Sequence, residues 1–375
     1  MEKHLHIIAF TVPYPVDYGG VYDLFYKLPA LQAEGVLIHL HCFDYGRGEQ
    51  AELAQYCYSV HYYERNLQGV GIFNTLPYIV ASRKNDKLTA TLLKDEYPII
   101  MEGVHCSYPV LDSRFSKRKM FVRLHNVEYR YYYDLFCISR SPIRKIYYLA
   151  ESRLLKGYEK KIASKAICLA VTEADAEVYK NKLGCKNAVH LPLFLPPWET
   201  AEPEGMGGFC LYHGDLSIEA NEKAVTWLLE KVLKKTAIPF VIAGKNPSAW
   251  LSRMVAKHQH ACLVANPSEK EMQDMISKAH IHMIPSYTTT GIKLKLINAL
   301  YNGRHCVANE ATVSGSGLEA ACHIGTTANA FMEIVAQLYH QPLGKEEKVL
   351  REKLLSGLFN NSLNAKKMVT RIWGS

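Results

Sequence analysis

The amino-acid sequence predicts an α/β protein built from two doubly wound, Rossmann-like domains facing a central cleft. Two observations carry this. Short apolar runs alternate with amphipathic segments along the chain, the pattern of parallel sheets covered by helices on both faces. Midway the texture changes: Leu191-Pro-Leu-Phe-Leu-Pro-Pro-Trp198 and the Pro-, Gly- and acid-rich stretch Glu199–Gly208 have linker composition. A chain of 375 residues also exceeds one ordinary core, so two are expected.

In the first half, strands are expected at Leu5–Thr11, Val36–Phe43, Ser59–Tyr63, Ile99–Glu102, Lys119–Leu124, Ile167–Val171 and Ala188–Leu191. Helices are expected at Tyr22–Glu34, Asn85–Lys94 and Ile143–Ala163. The second half offers strands at Phe209–His213, Pro239–Ala243, Ala261–Val264, His280–Pro285 and His305–Ala308. Its helices are Glu219–Lys234, Ser268–Ala279, Ile292–Tyr301 and Ala328–Tyr339, and Glu346–Trp373 reads as one or two more. Ligands of such sheets bind outside the carboxyl ends of the strands.

The charge balance, 44 Lys and Arg against 36 Asp and Glu, gives +8. That surplus suits a phosphorylated ligand or an anionic membrane surface better than nucleic acid, since the basic residues are dispersed. No run of about 18 apolar residues exists to span a bilayer, and the N-terminus lacks the features of a signal peptide. A cytoplasmic location is expected. The ten cysteines form no Cys-x-x-Cys pair and sit mostly in apolar runs, so they read as small buried hydrophobes.

The segment Ile284–Asn309 carries the sharpest chemistry. It reads as a strand, a Thr288–Gly291 loop, a helix from Ile292, a stop at Gly303 and another strand. Backbone N–H groups at a helix N-terminus favour an anion. Lys293 and Lys295 fall in the first turn, the wrong end of a helix for cations, which points to a bound anion that offsets the cost. An isolated lysine pair would instead read as merely solvated.

This segment resembles the donor-binding strand–loop–helix of GT-B-fold glycosyltransferases, in particular the retaining, family 4-like set (glycosyltransferases group 1). Ala299-Leu-Tyr-Asn-Gly303 and Cys306-Val-Ala308 match its pattern. His213-Gly-Asp-Leu-Ser217, with Asn221 and Ala224-x-x-Trp227, resembles the first strand and loop of the family's donor domain, and Ile242-Ala-Gly-Lys245 the next strand end. Phe10–Gly20 resembles its cleft-lining loop, and Arg123-Leu-His-Asn-Val-Glu-Tyr129 the strand end that carries a His near the transferred sugar. Ala170–Asp175 resembles the strand end before the linker, and Asn361–Ile372 the helix that crosses back onto the first domain.

The resemblance implies an acceptor-side domain over residues 1–195, a linker over 196–207, a donor domain over 208–355 and a returning helix over 356–375. It implies transfer of a hexose from a nucleoside-diphosphate sugar to a saccharide or lipid-linked acceptor, with retention and with neither metal nor cofactor. No Asp-x-Asp occurs in the chain. His125 and Lys293 are the implied catalytic residues. The implied donor site is Gly19, Gly20, Gly214, Asn221, Lys245, Ser286, Gly291, Ile292, Lys295 and Asn298. Glu102, His105, Asn126 and Glu128 are implied on the acceptor side, with a solvated loop position the alternative for Glu102.

The basic, aromatic stretch Tyr129–Tyr133 and Arg140–Tyr148 suits peripheral contact with the inner membrane surface, and packing of its tyrosines between helices is the alternative. The family's two carboxylates eight positions apart are replaced by Thr290 and Asn298. That departure keeps open a non-catalytic sugar-nucleotide-binding protein, and a sugar-nucleotide epimerase of the same fold stands beside it. A nicotinamide dehydrogenase is disfavoured, because no Gly-x-Gly-x-x-Gly follows the first strand.

Overall fold

The computed structural model of the protein describes residues 2–17, 19–66, 75–200, 205–234 and 236–374. Tyr18 of the Phe10–Gly20 loop and residues 201–204 of the expected linker lie outside the described residues. The chain forms two compact units, Met1–Tyr133 with Tyr147–Pro196 and Phe359–Ser375, and Asp134–Ile146 with Pro197–Leu358. The sequence reading assigns Asp134–Ile146 to the first domain, whereas its contacts group it with the second. Asp134 accepts from the Thr289 N–H, Arg144 pairs with Glu219 at 2.6 Å and Arg140 lies over the Trp250 ring.

The first unit contains β1 (Lys3–Ala9), α1 (Gly19–Ala33), β2 (Val36–Asp44), β3 (Ser59–Glu64), α2 (Asp86–Leu92), β4 (Ile99–Glu102) and β5 (Met120–Leu124). Helices α3 (Glu128–Ile138) and α4 (Pro142–Ala163) are shared with the second unit; β6 (Ile167–Ala170), α5 (Glu173–Leu183) and β7 (Ala188–His190) follow. Seven strands run parallel in the order β3-β2-β1-β4-β5-β6-β7.

Strand β1 starts two residues before its expected position because polar side chains lie inside the ladder. His4 Nδ1 is 3.0 Å from His39 Nε2, and His6 Nδ1 is 2.8 Å from His41 Nε2 on the neighbouring strand. Burial pushes His6 down to about 4, against the pull of Asp95.

One face of this sheet packs Leu5, Ile7 and Ala9 against Leu24, Leu28 and Leu31 of α1, and against Ala365, Met368 and Ile372 near the C-terminus. The other face packs Ile8, Met101 and Val122 against Leu155, Tyr158 and Ile162 of α4. Each such side chain contributes about 1.5–3 kcal/mol on burial.

The second unit contains β8 (Cys210–Asp215), α6 (Glu219–Trp227), β9 (Phe240–Lys245), α7 (Ala249–Val255), β10 (Ala261–Ala265), α8 (Glu269–Lys278) and β11 (Ile281–Ile284). It continues with α9 (Leu294–Asn302), β12 (His305–Ala308), β13 (His323–Ile324), α10 (Ala328–Leu338) and α11 (Lys345–Leu358). Six parallel strands take the order β10-β9-β8-β11-β12-β13. Tyr212, Leu229, Ile242, Met283, Val307 and Phe331 fill its main core.

Local signals set several boundaries. Ser268 and Glu271 close a capping box at the start of α8. The helix expected over Glu219–Lys234 is α-helical only to Trp227, and Leu228–Val232 form a π turn. The terminal stretch resolves into α11 and α12 (Asn361–Trp373), because the Asn360 side chain accepts from the Leu363 N–H at 2.9 Å and restarts the helix. Helix α12 docks on the first unit, where the Asn361 amide and the Leu195 backbone exchange hydrogen bonds of 2.8 and 3.0 Å. Among the described residues no helix is long and apolar enough to cross a membrane.

Candidate active site

In each sheet the strand order reverses once, between β1 and β4 and between β8 and β11, and the crevice at the carboxyl ends there is where ligands bind. The sequence-derived candidates fall at these two places.

In the first unit, the end of β4 presents Glu102, the end of β5 presents Arg123 and then His125, and α1 presents Asp23 and Lys27 one turn apart. Arg123 donates twice to Asp23 at 2.9 Å and once to the Pro192 carbonyl at 2.9 Å. Lys27 donates to Asp23 at 3.1 Å and also to Glu102. The Phe194 N–H completes the Asp23 shell at 2.9 Å. Two carboxylates and two cations thus balance, the condition under which fully buried charges are tolerated.

Burial opposes ionisation of Asp23, yet Arg123 and then Lys27 hold its carboxyl far below the usual range. At Glu102 the same opposition is outweighed by Lys27 and His125. The solvated alternative for Glu102 is therefore corrected: its side chain has no exposure. Asp23, Glu102 and His125 bring three ligand-type atoms within 4.8 Å of one another. Lys27 and Arg123 already occupy both carboxylates, which makes this donor set a poor one for a cation.

His125 Nε2 lies 3.0 Å from Glu102 Oε2. An ionised carboxylate only accepts, so Nε2 carries the proton and Nδ1 is the nitrogen left for a substrate. The ring stands edge-on to Phe10 at 5.9 Å, with its side chain 20% exposed. His105 packs on the same Phe10; burial, then the charges of Arg83 and His125, keep it well below its ordinary value, so it is a neutral ring.

Asn126 and Glu128, expected on the acceptor side, lie together in the turn after His125. Glu128 is the buried first residue of α3, pushed up to about 7 by burial, and its side chain accepts from Asn126 at 3.4 Å. The Glu159 carboxylate accepts from the Glu128 and Tyr129 N–H groups at 2.9 Å each and so fixes the turn after His125. Gly19 and Gly20 open α1 in helical backbone instead of extending the preceding loop.

In the second unit, Lys295 is the centre. Its Nζ donates to the Tyr212 hydroxyl and to Asn221 Oδ1, both at 2.9 Å, and lies 4.4 Å from the Tyr212 ring centroid. Burial, then the neighbouring charge of Lys293, push it down to about 7. Asn221 also donates to the Asp215 carbonyl at 2.7 Å, which ties the β8–α6 loop to this point.

Gly214 lies against the same group, since a Cβ there would stand 3.4 Å from Asn221 Nδ2 and 3.6 Å from Lys295 Nζ. Gly244 on β9 is required by close approach: a Cβ would fall 1.9 Å from the Gly214 carbonyl oxygen. His213 at the same strand end is pushed down to about 3 by burial and then by Lys295, so it too is neutral. Lys245 is exposed at the end of β9.

The Thr/Gly loop turns at Gly291, whose φ of 70° suits glycine. The helix begins at Leu294 and not Ile292, because Lys293 is extended and serves as the N-cap without a side-chain cap bond. No side chain caps the start of α9, whose Leu296 and Ile297 N–H groups turn back onto the Lys293 carbonyl at 2.8 and 3.3 Å, and the positive end of its dipole lies here.

Three contacts bear on the residues expected here. Lys293 Nζ turns back onto the Thr290 carbonyl at 2.7 Å. The Thr289 N–H and hydroxyl are taken by Asp134. Asn298 is 9% exposed and its Oδ1 accepts from Asn302 at 2.8 Å, so it stands inside α9's packed face. Ser286 is held by Asn309, which accepts from its N–H at 3.0 Å, and Ile292 is half-buried in the loop.

The sequence reading missed Asp23, Lys27, Arg123 and Tyr212. The one available signal was the opposite-charge pair Asp23/Lys27 at i, i+4 on a helix following the Pro/Gly loop.

Two parallel α/β units with binding groups at their strand-order reversals define the GT-B class. Residues 208–341 match the family model described as Glycosyl transferases group 1. A Klebsiella pneumoniae protein named "Uncharacterized 44.6 kDa protein in cps region" is 27% identical over 329 residues, covering 83% of this chain and 84% of that one. Among solved structures, a sucrose-phosphate synthase from Thermosynechococcus elongatus aligns with TM-score 0.70 at 16% identity, over 98% of each chain. Anabaena HepE in complex with UDP aligns with TM-score 0.62 at 11% identity, over 99% of each chain. The protein has the GT-B fold of those structures, and residues 208–341 are similar to glycosyl transferases group 1.

Proposed function

We propose that this protein is a cytoplasmic glycosyltransferase of polysaccharide biosynthesis. It moves a hexose from a nucleoside-diphosphate sugar to a saccharide or lipid-linked acceptor, with retention and without a metal or cofactor. The observation that carries this reading is Lys295, whose Nζ is held by Tyr212 and Asn221 beside Gly214 in the unit that matches the glycosyltransferase family model. A diphosphate meeting that amine restores its charge, and the positive end of the α9 dipole, which no side chain caps, favours the same leaving group. The cps-region relative and the UDP-bound structural neighbour support the polysaccharide and nucleotide-sugar parts of the reading.

On the first unit, Glu102 orients His125 so that Nδ1 faces the reacting sugar. The compensated buried network behind it holds that orientation rigid. A second reading, a sugar-nucleotide binder without turnover, draws on Asn298, which is engaged by Asn302, and on Thr290, which is buried.

A thermal-shift screen against UDP-, GDP- and ADP-sugars tests the donor class. One nucleotide is expected to raise the melting temperature by mass action, and no shift with any of them would count against nucleotide-sugar binding.

A further inference from the structure

We propose that His305, His323 and Glu347 form a binding site for one divalent metal ion of the zinc class. His305 opens β12, His323 opens β13 and Glu347 lies in the first turn of α11. His305 Nδ1 is 3.5 Å from Glu347 Oε2, His323 Nε2 is 3.7 Å from Glu347 Oε1, and the three ligand atoms all lie within 4.8 Å of one another. Ligands of a tetrahedral zinc ion at about 2.0–2.2 Å are separated by about 3.3 Å, so the two histidine–carboxylate separations of 3.5 and 3.7 Å need to shrink only slightly, while the two histidine nitrogens lie within 4.8 Å of each other.

The protonation pattern favours a cation. His305 is buried, and its Nε2 lies 2.9 Å from the Gln341 carbonyl oxygen. A carbonyl only accepts, so Nε2 carries a proton, and in the neutral ring Nδ1 is a lone pair. That lone pair has no hydrogen bond and is aimed at the Glu347 carboxylate. A buried lone pair facing a carboxylate that is itself only 21% exposed is unfavourable unless a positive centre lies between them. A backbone carbonyl on the far nitrogen is also the partner that orients metal-bound histidines.

Arg351 bears on the site as well. It donates to Glu347 Oε1 at 2.7 Å and to the Gly303 carbonyl at 3.2 Å, fixing the carboxylate while leaving Oε2 toward His305. Its charge works against a cation, and imidazole ligands select a zinc-class ion over magnesium or calcium. The competing arrangement is a proton on His305 Nδ1, which would make the cluster a plain ion pair. Both histidines sit at the amino ends of their strands, away from the ligand-binding ends. The ion's role is therefore structural: it clamps α11 to β13, the two-residue edge strand.

The test uses the full-length protein stripped with a chelator and titrated with Co2+ as a spectroscopic probe. One equivalent is expected to bind with visible bands that Zn2+ abolishes, and Zn2+ is expected to raise the melting temperature. His323→Ala and Glu347→Gln are each expected to weaken the affinity by at least about tenfold. His323 is 36% exposed, so H323A is tolerated by the fold and decides the matter if E347Q does not fold. Absence of cobalt bands in the wild type would overturn the site in favour of the proton. Equal affinity in H323A would overturn it in favour of binding at other histidines.

Discussion

Replacing Lys295 with methionine is expected to weaken nucleotide-sugar binding by at least about 30-fold, the effect of removing a charged partner from a partly buried diphosphate contact. The stem is retained, so packing against Tyr212 is largely kept. The pH dependence gives the variant a signature. With Lys295 pushed down to about 7, the free protein holds a charged amine below that pH and a neutral one above it. Wild-type donor affinity is expected to fall as pH rises past about 7, approaching tenfold per unit, and the K295M profile to be flat there.

Stability moves the other way. A lysine depressed on folding makes the native state bind fewer protons than the unfolded chain between about 7 and the ordinary lysine range, so wild-type stability rises with pH across that window. K295M is expected to lose this rise and to be no less stable than wild type at pH 6. Isothermal titration and urea unfolding check both, and unchanged donor affinity in K295M would contradict the assignment of the donor site.

The second large effect is expected from Asp23→Asn. The aspartate receives Arg123 twice, Lys27 once and the Phe194 N–H, all without solvent contact. An asparagine leaves a net positive charge among Lys27, Glu102 and Arg123, and turns N–H groups toward donors. Breaking a buried pair on one side costs about 3–5 kcal/mol. Urea denaturation measures the loss, and a change below about 1 kcal/mol would show that the network is not what orients His125. In the wild type, the depressed Asp23 carboxyl contributes stability above the ordinary carboxylate range that is lost as pH falls through it.

Much of this architecture was legible because the apolar runs follow parallel-sheet logic, as Ile99–Glu102 and His305–Ala308 show by matching their strands residue for residue. Where the reading slipped, tertiary contacts had overridden local pattern. Lys3 and His4 fall outside the expected strand because nothing local shows that His39, 35 residues away, stands beside His4. His125 could be found from its strand end, but Arg123 could not, since its partners lie on α1 and in the segment after β7. Lys293 and Lys295 are alike in sequence. Only the start of α9 at Leu294 sends one back onto the Thr290 carbonyl and the other to Tyr212. Asn298 reads as a ribose ligand by spacing, and its Oδ1 accepts from Asn302 one turn further on, a contact the spacing does not announce.

The central claim, that this chain transfers a sugar from a nucleotide, is tested most directly by following release of nucleoside diphosphate from the stabilising donor, with saccharide and lipid-linked saccharide acceptors supplied. Wild-type protein is expected to release nucleotide in step with acceptor glycosylation, and His125→Ala to lose at least about 100-fold in rate while still binding the donor. A wild-type protein that binds the sugar nucleotide but never releases its diphosphate, with either acceptor, would contradict the account and leave a binding protein in its place.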